Sequence, residues 1–157
     1  MTQSPNTHLQ LMRQAVDLAH ANRLNGGRPF AAVLAQDGEV IASGVNNIIA
    51  SHGPSTHAEM EAIRAGTRQR ANPSLAGLTI YASGHPCPMC LAAVVMGGAQ
   101  QVFFAFDNQD AAPYGLSSES TYQQLRLSLT PPPLPITRID TGIRAEQLYG
   151  DAAWPAA

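Results

Sequence analysis

Lysine is absent from this 157-residue sequence, whose nine basic residues are all arginines. Charged residues make up only 13% of the chain, and the formal net charge is −2. A protein that grips a folded nucleic acid usually carries a basic stripe. Arg64, Arg68 and Arg70 do cluster, but they lie on one predicted helix among neutral residues, which is typical of a solvated helix face. The composition therefore argues against a nucleic-acid partner.

Long apolar runs are also missing, although apolar residues make up 45% of the chain. No run approaches the roughly 20 apolar residues that a membrane-spanning helix needs, so no membrane segment is expected. Residues 1–6 are polar and lack the basic-then-apolar pattern of a secretion signal. The sequence contains no internal repeat and no linker that separates two domains. We therefore expect a cytoplasmic protein with a single domain over residues 1–157.

Cysteine is scarce, since only Cys87 and Cys90 are present, three positions apart. A Cys-x-x-Cys pair can form a disulfide, as in thioredoxin-like proteins. A reducing compartment disfavours that pairing, and the upstream segment His57-Ala58-Glu59 supplies further metal-binding groups. Metal ligation is therefore the favoured interpretation of the two thiols.

The apolar spacing and the turn residues predict the element order α-β-β-α-β-α-β, followed by a weaker pattern. The predicted helices span residues 7–24, 56–70 and 87–96, and the predicted strands span residues 30–35, 40–45, 78–82 and 102–106. Residues 46–55 and 107–118 are predicted loops, with a short helix over 119–127, an extended proline-rich segment near 131–135, a strand over 136–139 and a short helix over 144–149. This order indicates an α/β fold whose sheet is covered by helices on both faces.

Two predicted helix starts carry the residues that can do chemistry. His57 and Glu59 lie at the start of one helix, and Cys87 and Cys90 lie in the first turn of the other. The i, i+3 spacing puts both sulfurs on one face of that turn, and the positive ends of the two helices favour thiolates. As zinc ligands, His57, Cys87 and Cys90 would leave the fourth tetrahedral position to water, which is the arrangement of a catalytic site.

Glu59 lies two residues after His57 and is predicted to be the catalytic proton carrier. From there a carboxylate can take a proton from the water, deliver it to a ring nitrogen of the substrate and then protonate the leaving amine. The combined pattern, His-x-Glu followed about 30 residues later by Pro-Cys-x-x-Cys, is the signature of zinc-dependent nucleobase deaminases.

The chain resembles the cytidine-deaminase-like superfamily over about residues 7–125, with bacterial guanine deaminases the most similar branch and tRNA adenosine deaminases the next. The resemblance lies in residues 26–33, 44–47, 56–59, 86–91 and 110–112. It implies a three-layer α-β-α sandwich with a mixed central sheet of about five strands, one catalytic zinc ion per subunit and a homodimer. The small residues that would allow close helix approach in such a dimer are Ala92, Ala93, Gly97 and Gly98.

The resemblance also implies substrate contacts. In the family, the residue matching Asn46 hydrogen-bonds the base, the backbone amide matching Ala58 binds a ring carbonyl, and the residue matching Asp110 helps to hold the purine. Asn46 can equally be a turn residue, and Asp110 an ordinary loop carboxylate or a helix cap. His85 stands where related chains carry a glutamate. This imidazole beside the zinc site either alters substrate choice or is a neutral replacement at a helix start.

The C-terminal residues depart furthest from the family. In guanine deaminases this region exchanges between subunits, and its aromatic residues and a glutamate close the site. Here a proline-rich run makes residues 130–157 a divergent segment, which we interpret as a lid or a swapped tail. Trp154 is the candidate substrate contact in that segment, with Tyr149 and Glu146 as further candidates.

The predicted activity is hydrolytic deamination of a nucleobase-type small molecule, with the conversion of guanine to xanthine and ammonia as the leading reaction. Cytosine, a pterin, a triazine or another small aminated ring is an alternative substrate. A tRNA adenosine deaminase would need a basic groove, for which the C-terminal part offers Arg138 and Arg144 but no lysine. A zinc-stabilised scaffold without activity is the alternative of another class. Glu59 argues against that scaffold because a structural site needs no free carboxylate.

Overall fold

The computed structural model describes residues 4–151 and 153–154, and it contains a five-stranded sheet between helices. The strands are β1 (Ala31–Gln36), β2 (Glu39–Val45), β3 (Thr79–Gly84), β4 (Gln101–Phe106) and β5 (Ile136–Arg138). The helices are α1 (Pro5–Leu24), α2 (Ile48–Ser51), α3 (Ala58–Arg70), α4 (Pro88–Gly97), α5 (Asn108–Ala111), α6 (Glu119–Gln124) and α7 (Ala145–Tyr149), with a 3-10 turn at Ala112–Tyr114. Residues 1–3, 152 and 155–157, which belong to the predicted domain and tail, lie outside the described residues. Among the described helices, none combines the length and apolarity needed to cross a membrane.

The sheet is mixed, as the resemblance implied. Its strands run in the order β2-β1-β3-β4-β5. β1 is antiparallel to both β2 and β3, whereas β3, β4 and β5 are parallel. Asp37 and Gly38 turn the chain between β1 and β2 with φ values of 50° and 88°. Both values are in the left-handed region that a tight two-residue hairpin requires, which explains the Asp-Gly pair at this point.

Alternate residues of the central strands build two separate cores. On one face, Val33, Tyr81 and Phe103 pack with the buried residues of α1 and α7. On the other face, Leu34 and Ile80 pack with the buried residues of α3 and α4. Because each face of the sheet is covered by helices, the predicted three-layer α-β-α sandwich is confirmed.

Two glycines bring α3 close to the sheet. A Cβ atom on Gly66 would lie 2.4 Å from Cδ2 of Leu34, and a Cβ atom on Gly44 would lie 2.4 Å from the backbone nitrogen of Ala62. Neither distance leaves room for a carbon atom in a close-packed interior. The absence of a side chain at these positions therefore lets the first turn of α3, which carries Glu59, lie directly against β2.

The predicted element types from α1 to β4 are correct, with boundaries that shift by one or two residues. The two predicted loops, residues 46–55 and 107–118, instead contain the short helices α2 and α5 and the 3-10 turn. Oδ1 of Asn46 accepts from the backbone N–H of Ile48, the first residue of α2, and Asp107 caps α5 through its side chain. Such bonds are a local signal that apolar spacing does not report. The helix predicted over 119–127 ends at Gln124, because Arg126 adopts a φ of 54°.

Candidate metal centre

The three predicted metal ligands lie at the starts of α3 and α4. His57 is the N-cap residue of α3 and Cys87 is that of α4, both in extended backbone conformation. Neither side chain makes a hydrogen bond that caps its own helix, so both are directed to other partners. Pro88 occupies the first helical position of α4, where its missing N–H has no intrahelical acceptor to lose. Cys90 follows in the same turn and is fully buried.

The spacing of the three donor atoms fits a tetrahedral zinc ion. Nδ1 of His57 lies 3.5 Å from Sγ of Cys87, and the ligand atoms of His57, Cys87 and Cys90 all lie within 4.8 Å of one another. Tetrahedral Zn–S and Zn–N bonds of about 2.3 and 2.0 Å would put nitrogen and sulfur about 3.5 Å apart. One imidazole and two thiols are also the donors that zinc prefers, and three of them leave one coordination position open.

Protons within the cluster are unevenly distributed. A hydrogen bond from Cys90, with a second from His57, outweighs burial and lowers the pKa of Cys87 to about 4, so this sulfur is a thiolate at neutral pH. Hydrogen bonding to Cys87 in turn raises the pKa of Cys90, with burial adding to it, and also raises the pKa of His57. A metal ion that binds here must therefore displace the proton of Cys90, and it competes with protonation of His57.

Glu59 lies beside the cluster with its side chain almost wholly shielded from water. The residue is 8% exposed, and its Oε2 accepts a hydrogen bond from Sγ of Cys90 at 3.4 Å. Burial, with the negative charge of Cys87 adding to it, raises the pKa of Glu59 to about 7. A carboxyl group with this pKa gains and loses a proton readily near neutral pH, which is the property of a general acid–base group.

A cavity of about 570 Å³ opens onto the cluster. The predicted site residues that line it are Asn46, His57, Glu59, His85 and Cys87. It is also lined by residues to which the sequence analysis assigns no role, namely Arg28, Phe30, Ser117, Ser118, Ser120 and Thr121. Arg28 and Phe30 belong to residues 26–33, one of the segments that resemble the family, so the resemblance could have predicted that they lie at the site. The four hydroxyl residues had no such signal, because Ser117 and Ser118 lie in a predicted loop and Ser120 and Thr121 in a predicted short helix, and neither segment carries a motif.

Asn46 lines the cavity, and Ala58 lies between His57 and Glu59, which also line it. Asn46 is buried, and its Oδ1 accepts from the backbone N–H of Ile48 at 3.3 Å, so it is also the turn residue that the sequence allowed. Ala58 is the first residue of α3, and its backbone N–H is one of the first four that have no acceptor within a helix. Both positions are compatible with the substrate contacts predicted for them, which remain predictions.

His85 lines both the cavity at the cluster and a neighbouring cavity of about 410 Å³. Its ring packs edge-on against Phe104 and Tyr122, with centroid distances of 5.0 and 5.8 Å. Burial lowers the pKa of the imidazole. Since His85 follows β3 directly and precedes the ligand Cys87 by two residues, it connects the strand end to the metal centre.

Asp110 and Trp154 are not among the residues that line the cavity at the cluster. Asp110 exchanges hydrogen bonds with Asp107 in a capping box at the start of α5, and its Oδ2 lies 2.9 Å from Nη2 of Arg138. This is the helix-cap alternative that the sequence left open. Trp154 donates from Nε1 to the carbonyl oxygen of Tyr149 at 3.1 Å. The proposed contact of each with substrate is thus still a prediction.

The remaining tail candidates are also occupied within the chain. Tyr149 is 1% exposed and belongs to the core between α1 and the sheet. Glu146 accepts from Nε of Arg144 at 2.6 Å on the protein surface. These contacts give the described part of the C-terminal segment partners on its own subunit.

Comparison with known proteins relates the chain to one family. The profile of the cytidine and deoxycytidylate deaminase zinc-binding region matches residues 5–106, which include the metal cluster and Glu59. Guanine deaminase of Bacillus subtilis is 37% identical over 119 residues, 75% of this chain and 76% of that protein. The X-ray structure of guanine deaminase from Bacillus subtilis matches with a TM-score of 0.72 at 38% identity and covers 74% of both chains. A tRNA-specific adenosine deaminase of Buchnera aphidicola is 31% identical over 103 residues, 66% of this chain and 64% of that protein.

Proposed function

We propose that this chain, which belongs to the cytidine and deoxycytidylate deaminase zinc-binding family, converts guanine to xanthine and ammonia, a step of purine catabolism. It is a zinc-dependent hydrolase that acts on a C–N bond of a small molecule. One observation carries the choice of guanine. The buried carboxyl group of Glu59 lies beside three metal donors at a cavity, in a chain 37% identical to a guanine deaminase over 75% of its length.

His57, Cys87 and Cys90 would hold the zinc ion. When bound, zinc lowers the pKa of a water in its open position from 15.7 toward about 7, which supplies a nucleophile at neutral pH. The burial of Cys90 and the partial burial of the other two ligands would keep bulk water away from the donor atoms. The protein's part is thus to fix the coordination and leave one position open.

Glu59 would move the protons. It can take a proton from the attacking water as the C2–O bond forms, and deliver it to a ring nitrogen of guanine. It can then protonate the exocyclic amine as the C2–N bond breaks, so that water and guanine yield xanthine and ammonia. The pKa of about 7 supports this role, because the carboxyl group must both accept and release a proton in one cycle.

Asn46, the backbone N–H of Ala58 and His85 are the proposed contacts with the base. Support comes from the cavity, which Asn46 and His85 line, and from the unpaired position of the Ala58 amide in α3. Asp110 and Trp154 remain proposals that rest on resemblance. Since they bond to Arg138 and Tyr149, they would reach a substrate only after rearrangement of the tail or in a second subunit.

A tRNA substrate is the main rival, because tRNA-specific adenosine deaminases are among the relatives. The charge distribution argues against it. Arg138 pairs with Asp107 and Asp110, and Arg144 pairs with Glu146, so the arginines of the C-terminal part are neutralised by acidic partners. A nucleic-acid groove needs basic groups that face phosphate instead.

We further propose that the chain forms one domain that pairs as a homodimer in the cytoplasm. Two cores on one sheet support a single domain, and the free thiols of the cluster favour a reducing compartment. The dimer proposal rests on α4, whose outer face carries Val95 at 43% and Met96 at 87% exposure. Apolar side chains this exposed next to small residues are typical of a surface that a second copy covers.

An ammonia-release screen of the purified, zinc-loaded protein tests the proposal. The substrates are guanine, guanosine, adenine, cytosine, cytidine, pterins and triazines, with tRNA as a separate arm. We expect guanine to give the highest kcat/KM. Ammonia release from another ring would support the deaminase activity but reject guanine as the substrate. Ammonia release only from tRNA would support the rival function of a tRNA adenosine deaminase. No release from any of them would favour a zinc-stabilised scaffold.

A further inference from the structure

The carbonyl oxygen of Pro86 is hydrogen-bonded to two side chains, those of His85 and Tyr122. Nδ1 of His85 lies 2.9 Å from this oxygen, and the hydroxyl group of Tyr122 donates to it at 2.5 Å. A carbonyl oxygen carries two lone pairs and no hydrogen, so it can only accept. Nδ1 of His85 therefore carries a hydrogen, and the lone pair of the neutral ring lies on Nε2.

Neighbouring rings hold this orientation of the imidazole. Phe104 and Tyr122 both contact it edge-on, and both are buried, with exposures of 8% and 5%. Within residues 4–151 and 153–154, the hydrogen bond at Nδ1 is the one that the His85 side chain makes, while its backbone N–H donates to the carbonyl oxygen of Phe106. The ring also lines the cavity at the metal cluster. Since Nδ1 is bonded to Pro86, Nε2 is the ring nitrogen left to accept a hydrogen bond from a molecule in that cavity.

We propose that Nε2 of His85 determines specificity by accepting a hydrogen bond from a ring N–H of the substrate. The inference rests on the proposed function, in which an aminated heterocycle occupies this cavity. Glu59 is engaged in proton transfer there, the backbone N–H of Ala58 can only donate, and Oδ1 of Asn46 already accepts from the backbone N–H of Ile48. An uncharged acceptor is therefore what His85 adds, and guanine offers N–H donors at N1 and in its imidazole ring. A substrate whose ring nitrogen is methylated cannot make this bond.

The test compares guanine with 1-methyl-, 7-methyl- and 9-methylguanine as substrates of zinc-loaded wild type, His85→Phe and His85→Gln. Phenylalanine keeps a ring but removes the acceptor, whereas Oε1 of glutamine can replace Nε2. We expect wild type to disfavour at least one methylated base about ten- to hundredfold in kcat/KM. In His85→Phe the kcat/KM for guanine should fall to that for the methylated base, so that the preference disappears. In His85→Gln the ratio of the two kcat/KM values should stay within about threefold of wild type. His20→Gln, on the exposed face of α1, is the matched control that should change nothing.

Either of two results would overturn the proposal. One is a wild type that is insensitive to methylation at all three positions, and the other is a His85→Phe variant that retains the wild-type ratio. Zinc content and thermal unfolding establish that each variant is folded, and His85→Leu replaces His85→Phe if that variant does not fold. If guanine is inert but another ring releases ammonia, the proposal of guanine as the substrate is rejected, and the proposal for His85 is not. The same comparison is then made with that ring and its N-methyl analogues, so the two failures are distinct.

Discussion

Oε2 of Glu59 and Sγ of Cys90 are joined by a hydrogen bond of 3.4 Å, which places a buried carboxyl group in contact with a metal donor 31 positions away in the sequence. Glu59 lies in the first turn of α3 and Cys90 in the first turn of α4. The two helix starts therefore bring the proposed proton carrier and a proposed metal ligand together. Replacing Glu59 should therefore impair proton transfer, whereas replacing Cys90 should impair metal binding.

The variant Glu59→Gln should retain zinc and lose turnover. Glutamine keeps the size of the side chain and can still accept from Cys90, but it cannot carry a proton between water and substrate. General acid–base catalysis contributes about 10²- to 10⁴-fold, so kcat should fall by that factor. Metal content by mass spectrometry and ammonia release measure the two functions independently.

Glu61→Gln is the matched control for this variant. Glu61 lies two residues further along α3, where its carboxylate pairs with Nη1 of Arg64 at 2.6 Å on a half-exposed surface. Its loss should leave turnover unchanged, because exposed ion pairs contribute little. Near-normal activity of Glu59→Gln, or an equal loss in both variants, would contradict the role given to Glu59.

Zinc binding should release protons and weaken as the pH falls. Hydrogen bonds to Cys87 raise the pKa values of Cys90 and His57, so the metal must displace the proton of Cys90 and competes with protonation of His57. Cys87 has a pKa of about 4 and contributes no proton at neutral pH. We expect at least about one proton per zinc ion, measured by calorimetry in buffers of different ionisation enthalpy. An affinity that stays constant between about pH 6 and pH 8 would rule out this account.

The metal cluster could be predicted from the sequence because its information is local. The i, i+3 spacing of Cys87 and Cys90 and the helix starts around His57 are visible without any tertiary contact. The rest of the cavity depends on contacts between distant residues. The hydroxyl group of Tyr122 donates a hydrogen bond to the carbonyl oxygen of Pro86, 36 positions away, and neither composition nor periodicity predicts that contact. For Asp110, the residue type was equally compatible with a cap and with a ligand contact, and only the fold reveals its bonds to Asp107 and Arg138.

The variant Gly44→Ala should destabilise the protein and lower its activity. Its Cβ atom would lie 2.4 Å from the nitrogen of Ala62 and 2.6 Å from the carbonyl oxygen of Ala58, and neither backbone atom can move aside alone. Helix α3 would have to shift away from β2 and take Glu59 with it. We expect a loss of about 3 kcal/mol in the free energy of unfolding by urea. Ser43→Ala, at the exposed neighbouring position, should change it by less than about 0.5 kcal/mol, and an equal effect of both would contradict the packing argument.

The variant Asp107→Ala should destabilise the protein at neutral pH and much less in acid. Partial burial opposes ionisation, but hydrogen bonds from Asp110 and the charge of Arg138 outweigh it and lower the pKa of Asp107. A lowered pKa means that this residue stabilises the fold above its ordinary pKa, and that the contribution disappears as the pH falls through the folded value. Loss of a helix N-cap costs about 1 kcal/mol. Urea unfolding at about pH 7 and about pH 3 should therefore give a difference from wild type that shrinks in acid. A difference that is constant or grows in acid would contradict this sign.

The variant Met96→Glu should convert the proposed dimer to monomers. Met96 is 87% exposed at the end of α4, where Val95 and the glycines at 97 and 98 complete an apolar, small-residue surface. If a second copy covers this surface, the new carboxylate is buried without a partner, which costs several kcal/mol and weakens the dimer more than tenfold. Leu24→Glu is the matched control, because Leu24 is an apolar residue with 68% exposure at the end of α1. Sedimentation velocity over a range of protein concentrations distinguishes the two variants. Equal masses for wild type and Met96→Glu at every concentration would exclude α4 as the dimer surface. If Met96→Glu is instead monomeric, its ammonia release shows whether the site needs the second copy.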